Sequence, residues 1–229
     1  EEQGVSGGLL GESARSWVKR EAITDEALSV FRKVYPRAFD VRGKSAARAK
    51  KYGGAELTKE DIFFYIYGIF HSSEYRNRFA ANLKKELPRI PLAEDFVAFS
   101  RAGRALAELH LNYESLEPWP LLEIGDSINP GRTEKMTFGK CSKDGSRKKS
   151  EDRSVLLVSE NLRLEGIPEQ TYDYVVNGKS AIGWLMDRYC VKTDGASGIV
   201  NDPNDYCDNP RYIVDLVKRV VRVSMETLE

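Results

Sequence analysis

Residues 58–113 read TKEDIFFYIYGIFHSSEYRNRFAANLKKELPRIPLAEDFVAFSRAGRALAELHLNY. Thr58-Lys59-Glu60-Asp61 has capping-box form: a hydroxyl and a carboxylate three residues apart, each able to accept from the other's backbone N–H. It opens the apolar helix DIFFYIYGIFH. Ser72 or Ser73 is placed to cap the next helix, EYRNRFAANLKKEL, which Pro88 closes. In Leu87-Pro88-Arg89-Ile90-Pro91 each proline pushes its predecessor out of the α region, so this segment must be extended or turned. A long amphipathic helix follows from about Ala93 to Glu114, with Phe96, Phe99, Gly103, Leu106, Leu109 and Tyr113 recurring at spacings of three and four.

Upstream, Thr24 precedes DEALSVFRKVY, whose Leu28, Phe31, Val34 and Tyr35 share a helical face until Pro36 stops it. RAFDVRGKSAARAKKYGG reads as a loop ended by Gly53-Gly54, and residues 1–22, rich in Gly, Ser and Glu, as a flexible N-terminal segment. Downstream of Pro118-Trp119-Pro120 the period changes. KMTFGKC, SVLLVSE, LRLEGI and TYDYVV are short β-prone runs separated by turn residues, the first two joined by the basic connector KDGSRKKSEDR. Two helices follow, AIGWLMDRYC after Ser180 and PRYIVDLVKRVV with Pro210 at its first position, separated by the polar loop SGIVNDPNDYCDN. The expected fold class is α+β: a helical lobe, residues 23–118, packed on a small mixed or antiparallel sheet with flanking helices, residues 119–229.

Composition narrows the class without naming a function. In 229 residues, 35 Lys and Arg balance 35 Asp and Glu, and 41% hydrophobic content suffices for a core. No apolar run approaches the roughly 20 residues of a membrane span, and three cysteines without C-x-x-C spacing suit a reducing compartment, so a cytoplasmic protein is expected. Charge by segment is more informative. Residues 32–51 hold eight basic residues and one acid, residues 132–153 eight basic against four acidic, and residues 154–229 eight basic against twelve acidic. Such clusters are either solvated surface or a phosphate-contacting face, because clustered cations release condensed counterions on meeting a nucleic acid.

Catalytic motifs are missing. There is no G-x-x-x-x-G-K-[ST] loop, no G-x-G-x-x-G and no G-x-S-x-G. His71 and His110 lack metal-ligand spacing, and Cys190 and Cys207 lack a nearby histidine. The chain by itself is expected to be no enzyme, with no metal and no cofactor of its own.

Residues 58–113, with YDYVVNGKSAIGWLMDRYCVKTDGASGIVNDPNDYCDNPRYIVDLVKRVVRV at residues 172–223, closely resemble the C-terminal target-recognition region of type ISP restriction–modification enzymes, large single-chain proteins often labelled helicases. D-I-F-x-Y-x-Y-G, L-K-K-E-L-P-R-I-P, L-H-L-N-Y-E and S-G-I-V-N-D-P-N-D carry the resemblance, which covers most of residues 23–228 and is weakest in 37–54 and 125–155. It implies a parent with a nuclease, an ATP-dependent translocase and an adenine methyltransferase upstream, using S-adenosylmethionine, ATP and Mg. Neither a Walker motif nor an N-P-P-Y box is present here. The implied partners are double-stranded DNA and the methyltransferase and translocase domains of the same polypeptide.

On that reading Arg42, Lys44, Arg48, Lys50 and Lys51 are expected to position the phosphate backbone, and Arg89 is a further phosphate candidate. Residues around 135–153, with Lys143, Arg147, Lys148, Lys149 and Arg153, are expected to read base edges in the major groove. The same connector also fits a tolerant loop. Asn201 and Asn204 are candidate adenine readers or members of a structural capping network. The aromatic block Phe63, Phe64, Tyr65, Tyr67 and Phe70 covers more than one helix face and fits core packing better than a base-stacking platform. A second class stays open: a structural coupling domain that docks on the methyltransferase with little DNA contact.

Overall fold

Thr24, Thr58, Ser72 and Ser180 each start a helix by accepting a hydrogen bond from a first-turn backbone N–H, a cap worth about 1 kcal/mol. At Thr58 the box is complete, because Asp61 also accepts from the Thr58 N–H at 2.9 Å. The computed structural model describes residues 21–36, 56–142 and 149–228. Among these, six α-helices and antiparallel strands make a mixed α+β protein. The chain forms two compact units, Glu1–Ala107 and Glu108–Glu229. The division falls inside a helix and not at the Pro118-Trp119-Pro120 break, because the last helical turn bonds downstream: His110 Nε2 lies 2.8 Å from the Thr227 hydroxyl.

The first unit contains α1 (Asp25–Val34), α2 (Lys59–His71), α3 (Ser73–Arg78) and most of α4 (Phe96–Leu111). Its core is Phe31, Leu57, Ile62, Tyr65, Ile69, Tyr75 and Phe96. Tyr65 is fully buried while Phe63 is half exposed, so the aromatic block serves the core through one face. Ideal Cβ atoms would lie 2.4 Å from the Phe99 carbonyl oxygen at Gly68 and 1.8 Å from the Phe64 carbonyl oxygen at Gly103. Glycine is what lets the α2 and α4 backbones touch. The proline connector is extended, and three tyrosines hold its backbone. Tyr75 donates to the Arg89 carbonyl at 2.8 Å, Tyr65 to Pro91 at 2.6 Å and Tyr35 to Ala93 at 2.6 Å. Prolines remove donors, so side-chain hydroxyls satisfy carbonyls that no ladder can reach. The helix expected to run to Leu87 stops at Arg78; residues 80–89 are exposed throughout and give a longer helix no face to bury.

The second unit holds one four-stranded antiparallel sheet in the order β1 (Leu122–Gly125), β4 (Leu162–Glu165), β3 (Lys149–Leu157), β2 (Thr137–Ser142). Strand β4 alternates, with Leu162 and Leu164 buried and Arg163 exposed. Two-stranded pairs follow: β5 (Val175–Val176) with β6 (Lys179–Ser180), and β7 (Lys192–Thr193) with β8 (Val200–Asn201). Helices α5 (Ala181–Arg188) and α6 (Tyr212–Leu228) join Leu156, Val158, Leu164, Ile182, Val214 and Val217 into one core. TYDYVV is split, its first three residues closing the 3-10 turn Glu169–Asp173 and its last two forming β5, and the α6 helix begins at Tyr212 rather than Pro210. No helix among the described residues is long and apolar enough to cross a membrane.

Candidate nucleic-acid interface

Strands β2 and β3 pair antiparallel, β3 taking in residues 149–153 of the basic connector, and their register breaks at one step. Phe138 faces Leu156, but the next residue, Gly139, faces Asp152. Arg153, Ser154 and Val155 therefore form a bulge on β3, a device that re-aims side chains. The Asp152 carboxylate shapes it by accepting from the Ser154 N–H at 3.0 Å and hydroxyl at 2.6 Å. Arg153 is exposed, and its guanidinium lies over two rings, 5.8 Å from Phe138 and 5.5 Å from Tyr172. The rings meet edge to face at 5.8 Å, and the Tyr172 hydroxyl donates to the Arg153 carbonyl at 2.7 Å. Burial pushes the Tyr172 phenol up to about 12, so it stays a neutral donor at physiological pH. A cleft of about 440 Å³ runs beside this cluster, lined by Phe138, Arg153, Tyr172, Lys179, Gly183 and Asp187.

The polar loop is a built network. Asn204 Oδ1 accepts from the Thr133 N–H at 2.8 Å, and its Nδ2 donates to the Thr133 carbonyl at 3.2 Å and to Asp202 Oδ1 at 2.7 Å. Asp202 also pairs with Arg132. The Asn204 bonds, with Arg132 beside them, hold the Asp202 carboxyl below its ordinary range. The carboxamide of Asn204 is thus spent within the fold. Asn201 is exposed, and its Oδ1 accepts from the Tyr206 hydroxyl at 2.7 Å.

Arg89 is almost fully exposed on the proline connector, 3.7 Å from Glu86. Lys149 opens β3, with its side chain outside the described set. Arg42, Lys44, Arg48, Lys50 and Lys51, and Lys143, Arg147 and Lys148, lie outside the described residues. Phe138 and Tyr172 escape sequence reasoning because the bulge that joins them to Arg153 leaves no periodic mark. Among the described residues, no group of three or more His, Cys, Asp or Glu side chains is arranged to hold a metal ion.

The family model for the Type ISP C-terminal specificity domain matches residues 2–216. No curated protein matches the chain. Solved structures do. A nuclease-deletion mutant of the Type ISP restriction-modification enzyme LlaGI, in complex with a DNA substrate mimic, is 42% identical over 76% of this chain and 16% of its own, with a TM-score of 0.65. The ATP-dependent Type ISP restriction-modification enzyme LlaBIII bound to DNA is 38% identical over 75% of this chain and 11% of its own, with a TM-score of 0.66. The DrdV–DNA complex is 26% identical over 90% of this chain and 19% of its own, with a TM-score of 0.63. The chain thus spans less than a fifth of each of these proteins.

Proposed function

The chain belongs to the Type ISP C-terminal specificity domain family, and from that premise we propose that it reads the target sequence in double-stranded DNA for a restriction–modification enzyme. The observation that carries this reading at residue level is Arg153, exposed at a strand bulge with its guanidinium held over two aromatic rings. A guanidinium stacked on rings keeps its in-plane N–H groups for a guanine O6/N7 edge. Arg147, Lys143, Lys148 and Lys149, which precede Arg153 in the basic connector, are the neighbouring readers. Arg42, Lys44, Arg48, Lys50, Lys51 and Arg89 supply sequence-independent phosphate contacts. Asn201 remains an adenine-reading candidate; Asn204 serves the loop's own structure.

Nuclease, translocase and adenine methyltransferase activities, with Mg, ATP and S-adenosylmethionine, belong in this reading to other parts of the same polypeptide, placed in the cytoplasm. The chain recognises; it does not cut or methylate. The test is selection by the 229-residue chain from a pool of randomised duplexes. A single short consensus is expected. A pool that stays random would overturn the proposal, and methyl transfer to DNA by the chain alone would overturn its non-catalytic role.

One observation favours a second role for the first unit. Leu87, Leu92 and Leu83 are 89%, 51% and 36% exposed, and the first and last of these line a cleft of about 450 Å³ with Tyr75, Phe79 and Ile90. An apolar edge of this kind suits docking against another domain of the same polypeptide. Leu87→Asp should weaken association with the separately produced remainder of the enzyme and leave the selected consensus unchanged.

A further inference from the structure

Residues 154–229 carry four more acids than bases, which argues against a phosphate-facing surface there. The structure distributes those acids unevenly. Asp202 pairs with Arg132, Asp215 with Arg211, Glu165 with Arg163 and Glu226 with Arg222. The Asp194 carboxylate closes its own turn on the N–H groups of Ala196 and Ser197. One carboxylate, Asp187, stands among three cations: it pairs with Lys179, Lys192 donates to its carbonyl at 2.8 Å, and Arg188 is its neighbour in sequence. Lys179, and with it Lys192 and Arg188, holds the Asp187 carboxyl below its ordinary range.

Two of these cations are held in place by an indole. The Trp184 ring is fixed by its Nε1–H, which donates to the Val176 carbonyl at 2.7 Å. Lys179 Nζ sits 5.3 Å from the ring centroid and the Arg188 guanidinium 6.0 Å from it. Among the described residues, neither Arg188 nor Arg153 has a hydrogen bond or ion pair through its guanidinium; rings hold both, and both are exposed. Stacking restricts the long side chain without using its in-plane donors, the state in which arginine takes a phosphate with two parallel hydrogen bonds. Lys179 and Asp187 line the same cleft as Arg153, so the Trp184 cluster and the Arg153 cluster border one cleft. The Asp152 carboxylate nearby is committed to Ser154.

We propose that Lys179 and Arg188, held on Trp184, and Lys192, bonded to the Asp187 carbonyl, form a second phosphate-binding surface that grips the DNA backbone beside the base-reading Arg153. This rests on the recognition reading above and deepens it: the acidic segment contributes the clamp, and its contacts carry no sequence information.

The test measures binding of the 229-residue chain to a random-sequence duplex as a function of salt. Removing one cation that neutralises a phosphate should reduce the magnitude of the slope of log K against log salt by about 0.9. The Arg188→Ala/Lys192→Ala double variant is expected to reduce it by about 1.8, with its thermal midpoint near that of the unsubstituted chain. Arg188→Lys should restore most of the slope, since it keeps the charge. If the double variant fails to fold, Arg188→Ala alone carries the test, with an expected change of about 0.9. A folded variant whose slope equals that of the unsubstituted chain overturns the proposal. An unsubstituted chain that binds no duplex at any salt overturns the recognition reading itself.

Discussion

Arg211 grips Glu123 with both arms of its guanidinium, at 3.1 and 3.0 Å, and so ties the start of α6 to β1. Lys218 adds a second cation at 2.8 Å and Asp215 closes the set on the Arg211 side at 3.0 Å. The Arg211 hydrogen bonds, with Lys218 behind them, hold the Glu123 carboxyl at about 2 against its ordinary 4.5.

A depressed carboxylate contributes stability above its unfolded pKa and loses it as pH falls through the folded one. The Glu123 contribution is therefore whole above about pH 4.5 and gone below about pH 2, and the gap corresponds to about 3 kcal/mol. Denaturant unfolding at stepped pH should show stability falling across that window, with a shallower fall in Glu123→Gln. Superimposable acid limbs would show that Glu123 titrates as an ordinary carboxylate.

At the α2–α4 crossing, Gly103→Ala places a methyl 1.8 Å from the Phe64 carbonyl oxygen, a backbone atom that cannot swing aside. The helices must separate, at a cost of about 2–3 kcal/mol. Ala105→Gly, on the exposed side of the same helix, should cost no more than about 1 kcal/mol. Urea titrations followed by circular dichroism give both numbers, and equal losses would remove the close approach as the reason for glycine.

Asn204→Ala deletes three hydrogen bonds, two that join the polar loop to Thr133 and one to Asp202 within the loop. About 2 kcal/mol of stability should go with them, and the Thr133 amide should exchange faster with solvent. Asn201→Ala, whose carboxamide meets the exposed Tyr206, should stay within about 0.5 kcal/mol of the unsubstituted chain. Unchanged protection at Thr133 in the first variant would mean that the loop is held by other bonds.

Arg153→Ala should relax the selected consensus at one or two positions, each worth about 1–3 kcal/mol of discrimination. Tyr172→Phe keeps the ring and removes the bond to the Arg153 carbonyl, so it should blunt the same positions less. Replacing Arg42, Lys44, Arg48, Lys50 and Lys51 with alanine should weaken all sequences alike and flatten the salt dependence by about 0.9 for each phosphate no longer neutralised. A consensus unchanged in Arg153→Ala would shift the reading function to Arg147 or Asn201.

Local chemistry is legible because it acts over three or four residues. The Thr58 box, the Thr24 and Ser180 caps, the connector prolines and the amphipathic period of α4 are readable in the chain and stand in the structure. So is the α+β class, which depends only on the change of hydrophobic period after Trp119. Strand β1 is not legible, because four residues, Leu122–Gly125, show little alternation and gain their identity from Leu162–Glu165 across the ladder.

The residues of the candidate site divide the same way. Arg153 stands out in sequence as one of a run of cations, but nothing local separates it from its neighbours. Its distinction comes from a bulge, and a bulge is a mismatch between two strands, so it exists only once β2 and β3 have paired. Likewise the acidic balance of residues 154–229 is a sum along the chain, whereas an electrostatic surface depends on which charges are neutralised in space. The sequence by itself determined where most of the helices begin, the α+β class and the family. Tertiary pairing decided which cations are left for a partner, because rings and carboxylates far apart in the chain claim some of them and only restrain others.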